Sequence, residues 1–463
     1  MIKRILAPGM AVLVLAATSL VPLALDAGSS GAAAKGTIGI NVLLNTRVSG
    51  AIVAELGNYG KVRDVLLRVN ALTMQTRADR LPAIQALPYV AAANPDAERT
   101  GSPIDTVAAT NFANGLNTWN LDAINVTDLG PGRVVDYDGT GVYVAVLDTG
   151  LVGTWRQYFP EERIAVEYAK CFGGGGGDMG TVSSQPKKWG LDVNSHGTHV
   201  TSTILGYDLG GTAFNGVAPM VKIIPVKVLG QTGSGWSSVI ARGIEYVGDL
   251  KAGPLAGYPV VINMSLSGPA LDAVEQEAID YAIEQGVIIV ASAGNRGTAG
   301  MGYPGAYSPV ISVAASGWVG EWPAGAGNWW VSRNVADPTS AADFYIVDFS
   351  SRAKTGQDLD IAAPGSWVVG PYQYTMGKTS YYFLGGTSMA SPHVAGTVAL
   401  MAQKKNALTA SEAETLLESS AVYLAPGCLT VRQPSGVSKE FCWEADATGA
   451  GLLDASAALL ATL

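Results

Sequence analysis

Four short stretches of the chain hold residue types that could do chemistry together. "VAVLDTG" places Asp148 at the end of a β-branched run, and "NSHGTHV" holds His196 and His199, two of only three histidines in 463 residues. "ASAGNRG" centres on Asn295, and "GGTSMASPHVAG" contains Ser388 and the third histidine, His393. A histidine pair three residues apart can hold a metal, can divide into a general base and a packed residue, or can fill space. Zinc lacks ligands here, because no CxxC spacing or further histidine completes a tetrahedral set. An aspartate, a histidine and a serine suit nucleophilic catalysis better. A serine hydroxyl is a weak nucleophile until an imidazole takes its proton, and a buried carboxylate then orients the imidazole and stabilises its cation. Gly385 and Gly386 allow a substrate backbone to come close, and a helix start beside Ser388 favours developing negative charge.

The elements that must position these residues read as buried strands alternating with helices. "VYVAVLD", "VKIIPVKVL", "VVINMSL", "VIIVASAGN", "VISVAAS" and "LDIAAPG" are short β-branched runs. "SSVIARGIEYVGDL" and "DAVEQEAIDYAIEQG" between them have helical periodicity. The pattern predicts an α/β fold with a parallel sheet flanked by helices, in which function gathers at the carboxyl ends of the strands. Ahead of it, "IGINVLLN", "SGAIVAELGNYG", "KVRDVLLRVN", "RADRLPAIQALP" and "YVAAANPD" predict a β-α-β-α-β order, a small α+β module of the ferredoxin-like, split-βαβ kind. From 98 to 117 the chain turns small and polar, as an exposed, cleavable linker would. At the start, Lys3 and Arg4 precede an apolar run from Ala11 to Leu25 and small residues near Ala27, the order of an export signal. The predicted organisation is a leader at 1–27, a small module at 28–100 and a large domain at 118–463.

Composition narrows the function classes. Nearly half the residues are hydrophobic (48%), only 14% are charged, and the formal net charge is −9. Such a chain builds a large buried core, and its negative charge argues against nucleic acid as a partner. Of its three cysteines, Cys428 and Cys442 flank a polar loop and form the natural pair, which leaves Cys171 over.

The blocks around Asp148, His196, Asn295 and Ser388, in that order, resemble the subtilisin-type serine peptidases. The resemblance runs from about Trp119 to "GAGLLDASAAL", and the small module resembles, by pattern alone, that family's inhibitory propeptide. It implies a secreted endopeptidase, monomeric and without membrane attachment once the leader is removed. Its substrates are proteins or peptides, and its own propeptide is an intramolecular inhibitor that it removes itself. It implies Asp148 as orienting carboxylate, His196 as general base, Ser388 as nucleophile and Asn295 as side-chain oxyanion donor, with His199 and His393 as packed core residues. "NMSLSG" (Ser265, Leu266, Ser267, Gly268), Ala293, Gly294 and "GYPGAY" (Gly302) match the walls and base of the first specificity pocket. The resemblance implies a base left open by Gly302 and a preference for large apolar side chains, with Arg296 as a rim cation. No cofactor is required for the chemistry. A structural calcium is compatible with the family, although its usual pattern after Asp148 is lost and Glu161 or Glu162 is only a substitute ligand. Two rival functions are a catalytically dead peptide-binding relative and a metal-dependent hydrolase. The insertion from Trp318 to Asp348, with Trp318, Trp322, Trp329 and Trp330, is read as a surface loop that packs its tryptophans rather than as an aromatic exosite.

Overall fold

The computed structural model describes residues 36–109, 118–128, 132–173, 185, 187–211, 213–322, 334–372 and 380–463. The leader expected at 1–27, and Trp329 and Trp330, lie outside the described residues.

The small module runs β1 (Thr37–Leu44), α1 (Gly50–Leu56), β2 (Gly60–Leu66), β3 (Ala71–Arg77), α2 (Leu81–Gln85) and β4 (Val90–Pro95). Its four strands form an antiparallel sheet in the order β2-β3-β1-β4. The sequence pattern lacks β3. "ALTMQTR" mixes Thr73, Gln75 and Thr76 with its apolar residues, so as an isolated run it gives little signal; its place between two strands supplies hydrogen bonds on both edges. Ile40, Val42, Leu72 and Met74 pack against Leu56 and Ile84 of the two helices.

Two strands then occupy the stretch expected to be an exposed linker, β5 (Glu98–Thr100) and β6 (Asp105–Ala109). Ala97, Arg99 and Gly101 are buried while Glu98, Thr100 and Ser102 are exposed, the period-two alternation of a half-buried strand. Small polar residues here are held by backbone hydrogen bonds to the large domain, which composition cannot reveal. Residues 110–117 lie outside the described residues.

The large domain continues with α3 (Trp119–Asp122), β7 (Tyr143–Asp148), β8 (Lys170–Cys171), α4 (His196–Leu205), the hairpin β9 (Gly206–Asp208) and β10 (Ala213–Asn215), and β11 (Lys222–Lys227). Next come β12 (Ser234–Trp236), α5 (Ser237–Ala252), β13 (Val260–Met264), α6 (Ala273–Glu284), β14 (Val287–Ser292), β15 (Ile311–Trp318), β16 (Phe344–Ile346) and β17 (Ile361–Pro364). The hairpin β18 (Val368–Pro371) and β19 (Tyr381–Gly385) leads into α7 (Thr387–Lys404), followed by α8 (Ala410–Ser420), β20 (Gly427–Arg432), β21 (Ser438–Trp443) and α9 (Ala455–Ala461). The main sheet runs β16-β15-β14-β13-β7-β11-β8, with β17 also on β15, and every pairing is parallel except β15–β16. Its alternating side chains feed two cores. Val144, Val146 and Val290 face the one containing α4 and α7, whereas Ala145, Leu147 and Ile289 face the one containing α5 and α6.

The module's sheet docks on α5 and α6. Asp96 accepts from the backbone N–H of Ser238 at 2.9 Å and from its hydroxyl at 2.6 Å, capping α5 from outside its own domain. Asn41 donates to Asp96 and to Asp272, and Asp272 caps α6 through Val274 and Glu275. Cys428 and Cys442 face one another across β20 and β21 and are bridged, while Cys171 is free and buried. In the insertion, Trp318 stacks on Trp119 and Trp322 packs edge-on against Trp367 and Phe383, so both turn inward. Glu321 lies beside them, fully buried; burial pushes its carboxyl up to about 8 while Trp318 N–H, Tyr345 and Ser366 donate to it. Among the described residues, no helix is long and apolar enough to cross a membrane.

Candidate active site

Asp148 closes β7 and His196 opens α4, and the two side chains meet. His196 Nδ1 stands 2.9 and 3.0 Å from the Asp148 oxygens, both groups wholly buried. The glycine between the histidines is what lets the helix come this close: a side chain at Gly197 would start 2.5 Å from the Gly150 carbonyl and 3.1 Å from Asp148 Oδ1. The entry to α4 is strained, since Ser195 holds φ 75° without being glycine. Asp192 stabilises that turn, accepting from Ser195 N–H at 2.8 Å and from the Thr149 hydroxyl at 2.8 Å. Thr149 Oγ1 in turn accepts from Gly197 N–H at 2.9 Å, and buried Lys227 donates to the Thr149 carbonyl and to Asp192 Oδ1. Thr149, Asp192 and Lys227 are absent from the sequence reading. Their only local signal is adjacency: Thr149 follows Asp148, and Asp192 stands four residues before His196.

The other histidines lie elsewhere. His199 Nε2 donates to the Val368 carbonyl at 3.1 Å, and burial pushes its pKa down to about 3. His393 Nδ1 donates to the Met389 carbonyl at 2.8 Å, Asn120 faces its Nε2, and burial lowers its pKa to about 4. Both are neutral core residues, and no group of potential metal ligands among the described residues includes any of the three histidines.

Ser388 sits in the first turn of α7, a helix buried along nearly its whole length. Pro392 has no N–H to return to the Ser388 carbonyl. That carbonyl accepts instead from Ser265 Oγ at 2.8 Å, while the Ser388 hydroxyl points to the Ser265 carbonyl at 3.2 Å. Asn263 links Ser265 Oγ to Ser391, so neutral groups clamp the serine to the end of β13. The Ser388 hydroxyl makes no hydrogen bond to His196, whose Nε2 is buried without a partner. Asn295 faces Thr387. The Thr387 backbone N–H can only donate, so Asn295 Oδ1 is the atom 2.9 Å away, and its Nδ2 is left to donate elsewhere.

The segment that reads as an exposed linker lies across these groups. β5 pairs antiparallel with β12, and Thr100 exchanges two 2.9 Å hydrogen bonds with Ser267. Gly101 donates to the Gly233 carbonyl at 2.8 Å, and a side chain on it would start 3.2 Å from His196 Cε1. Beyond Pro103, Ile104 donates to the Gly385 carbonyl at 2.7 Å and β6 pairs with β19. The cleft is therefore occupied by the chain itself, as an extended strand.

The expected pocket residues come together. Gly302 donates to the Ala293 carbonyl at 2.9 Å, Gly268 exchanges hydrogen bonds with Tyr303, and Leu266 is buried below. A side chain at Gly302 would meet Ser267 Cβ at 2.9 Å, and one at Gly294 would meet Ser267 Oγ at 3.0 Å. The Ser267 side chain thus lies in the space beside the two glycines. Arg296 is exposed, as a rim residue should be.

Arg156 holds the Glu161 carboxylate at 2.6 Å, and among the described residues neither Glu161 nor Glu162 belongs to a cluster of three potential ligand side chains. Among the described residues, Asp358, Asp360 and Glu414 bring oxygens within 4.8 Å of one another, the hard donor set that calcium takes. An ion there would tie the approach to β17 to α8, outside the chemistry.

The comparisons with known proteins bear on the family. The model of the Subtilase family matches residues 139–443. Subtilisin DY of Bacillus licheniformis is 34% identical over 292 residues, 62% of this chain and 86% of that one. Subtilisin E of Bacillus subtilis (strain 168) is 32% identical over 292 residues, 62% of either chain. Thermitase of Thermoactinomyces vulgaris is 31% identical, over 61% of this chain and 82% of that one. Among solved structures, fervidolysin from Fervidobacterium pennivorans, a keratinolytic enzyme related to subtilisin, superposes with TM-score 0.63 at 26% identity, over 92% of this chain and 61% of its own. Sphericase superposes with TM-score 0.52 at 28% identity, over 73% and 97%. Motif order, fold and relatives converge: the chain belongs to the subtilase family, the subtilisin-type serine endopeptidases.

Proposed function

We propose that the protein is a secreted endopeptidase that matures by cutting its own chain. His196, oriented by Asp148, takes the proton of the Ser388 hydroxyl as that oxygen attacks a peptide carbonyl. Asn295 Nδ2 and the Ser388 backbone N–H hold the resulting oxyanion; its collapse breaks the C–N bond as His196 gives its proton to the departing amine, and a water deprotonated by His196 then hydrolyses the acyl ester and restores Ser388. Residues from about 36 to 102 act as an intramolecular inhibitor, and the leader at 1–27 directs export.

One observation carries this reading: residues 98–105 lie over the triad in the extended, hydrogen-bonded form in which a peptidase holds a substrate. Gly101 is tied on one side and Ile104 on the other, so the bond presented is Ser102–Pro103. The Ser267 side chain beside Gly294 and Gly302 favours small residues before the scissile bond, and Ser102 is one.

N-terminal sequencing of the purified protein tests the reading. The wild-type chain should begin at or near Pro103, and Ser388→Ala should keep residues 36–102 covalently attached. An identical mature N-terminus in both would mean that another peptidase does the processing. A serine-directed phosphonylating reagent should label Ser388 in the mature wild type.

A further inference from the structure

We propose that Glu275 makes a subsite selective for arginine at the fourth residue before the scissile bond. The inference rests on the peptidase reading above, in which Ser102, Gly101, Thr100 and Arg99 are the first to fourth residues of the bound strand.

Arg99 is completely buried, the one charged side chain of residues 98–105 to be so. Its guanidinium grips Glu275 with two N–H groups, Nε at 3.2 Å from Oε1 and Nη2 on Oε2, while Nη1 donates to the Glu98 carbonyl at 3.1 Å. This is the fork-on-carboxylate geometry that arginine offers and lysine cannot reproduce. The two partners belong to different parts of the machine. Arg99 lies on the strand that a substrate replaces, whereas Glu275 lies in the first turn of α6, part of the enzyme body.

The backbone bonds around Arg99 and Thr100, to β12 and to Ser267, are open to any peptide and carry no sequence information. Selection at this position therefore falls to the side chain. Burial pushes the Glu275 carboxyl up and Arg99 pulls it back, with Asp272 adding a like charge nearby. An apolar substrate residue would leave a desolvated carboxyl without a partner, and an acidic one would add repulsion. Gly268 keeps the space clear, since a side chain there would start 2.9 Å from Arg99 Nη1.

The test measures kcat/KM of the mature enzyme on chromogenic peptides Xaa-Thr-Gly-Ala, with Arg, Lys, Leu or Glu as Xaa. Arginine should exceed leucine by about 10²-fold, with lysine between them and glutamate last. The paired variant Arg99→Leu/Glu275→Leu removes both charges, so that its precursor keeps a matched contact; its mature form should favour leucine over arginine. Equal rates for arginine and leucine in the wild type, or an arginine preference that survives in the paired variant, would overturn the subsite. No hydrolysis of any peptide together with no phosphonylation of Ser388 would overturn the peptidase reading, and the subsite with it.

Discussion

The two sides of the candidate site are built from different materials. On the base side, charges surround His196: Asp148 touches it, and behind that pair lie Asp192 and Lys227, all buried. On the nucleophile side, the groups holding Ser388 are neutral, namely Ser265, Asn263, Ser391 and the carbonyl that Pro392 leaves unbonded. The contrast follows from what each side must do. An imidazole that becomes a cation during the reaction gains from fixed negative charge nearby. A serine beside a developing oxyanion would lose by it, so its support is made of hydroxyls, amides and backbone.

The sharpest way to break that division is at the histidines. His196→Ala should lower kcat/KM by about 10⁴-fold or more with little change in melting. His199→Ala should instead cost about 2–3 kcal/mol of stability, because it leaves a gap beside β18 and removes a donor from the Val368 carbonyl. Equal activity losses with unchanged melting in both would end the distinction.

A smaller effect is expected one layer further out. Asp192→Asn leaves Lys227 as a buried cation near the base and loosens the Ser195 turn. It should lower kcat/KM by about 10–100-fold and move the acid limb of the pH–rate profile to lower pH, since a positive neighbour disfavours the imidazolium. Adding Lys227→Met should return the limb toward its wild-type position. A limb that stays fixed in both variants would mean that the pair serves only packing.

The smallest effect belongs to the neutral side. Ser265→Ala removes the donor to the Ser388 carbonyl and should lower kcat by about tenfold, with no movement of either pH limb. A pH shift in this variant comparable to that of Asp192→Asn would erase the contrast between the two sides.

Much of the protein can be read from local sequence, for a physical reason. β-branched runs alternating with helical periodicity dictate a covered parallel sheet, and the residues named for the chemistry sit where strands end and helices begin. Asp148 and His196 meet as that pattern implies, and Cys428 and Cys442 pair across one short hairpin. What the tertiary structure alone decided depends on which surfaces meet. Pro392 matters because Ser265, 127 residues earlier (392 minus 265), takes the carbonyl it frees. Ser267 lies against Gly294 and Gly302, two glycines well separated from it along the chain. Residues 98–109 look like a linker in composition, yet they form strands, because their partners at Gly233, Ser267 and Gly385 lie far along the chain. Periodicity and motif are properties of neighbours in sequence; direction, register and the pairing of buried charges are properties of neighbours in space.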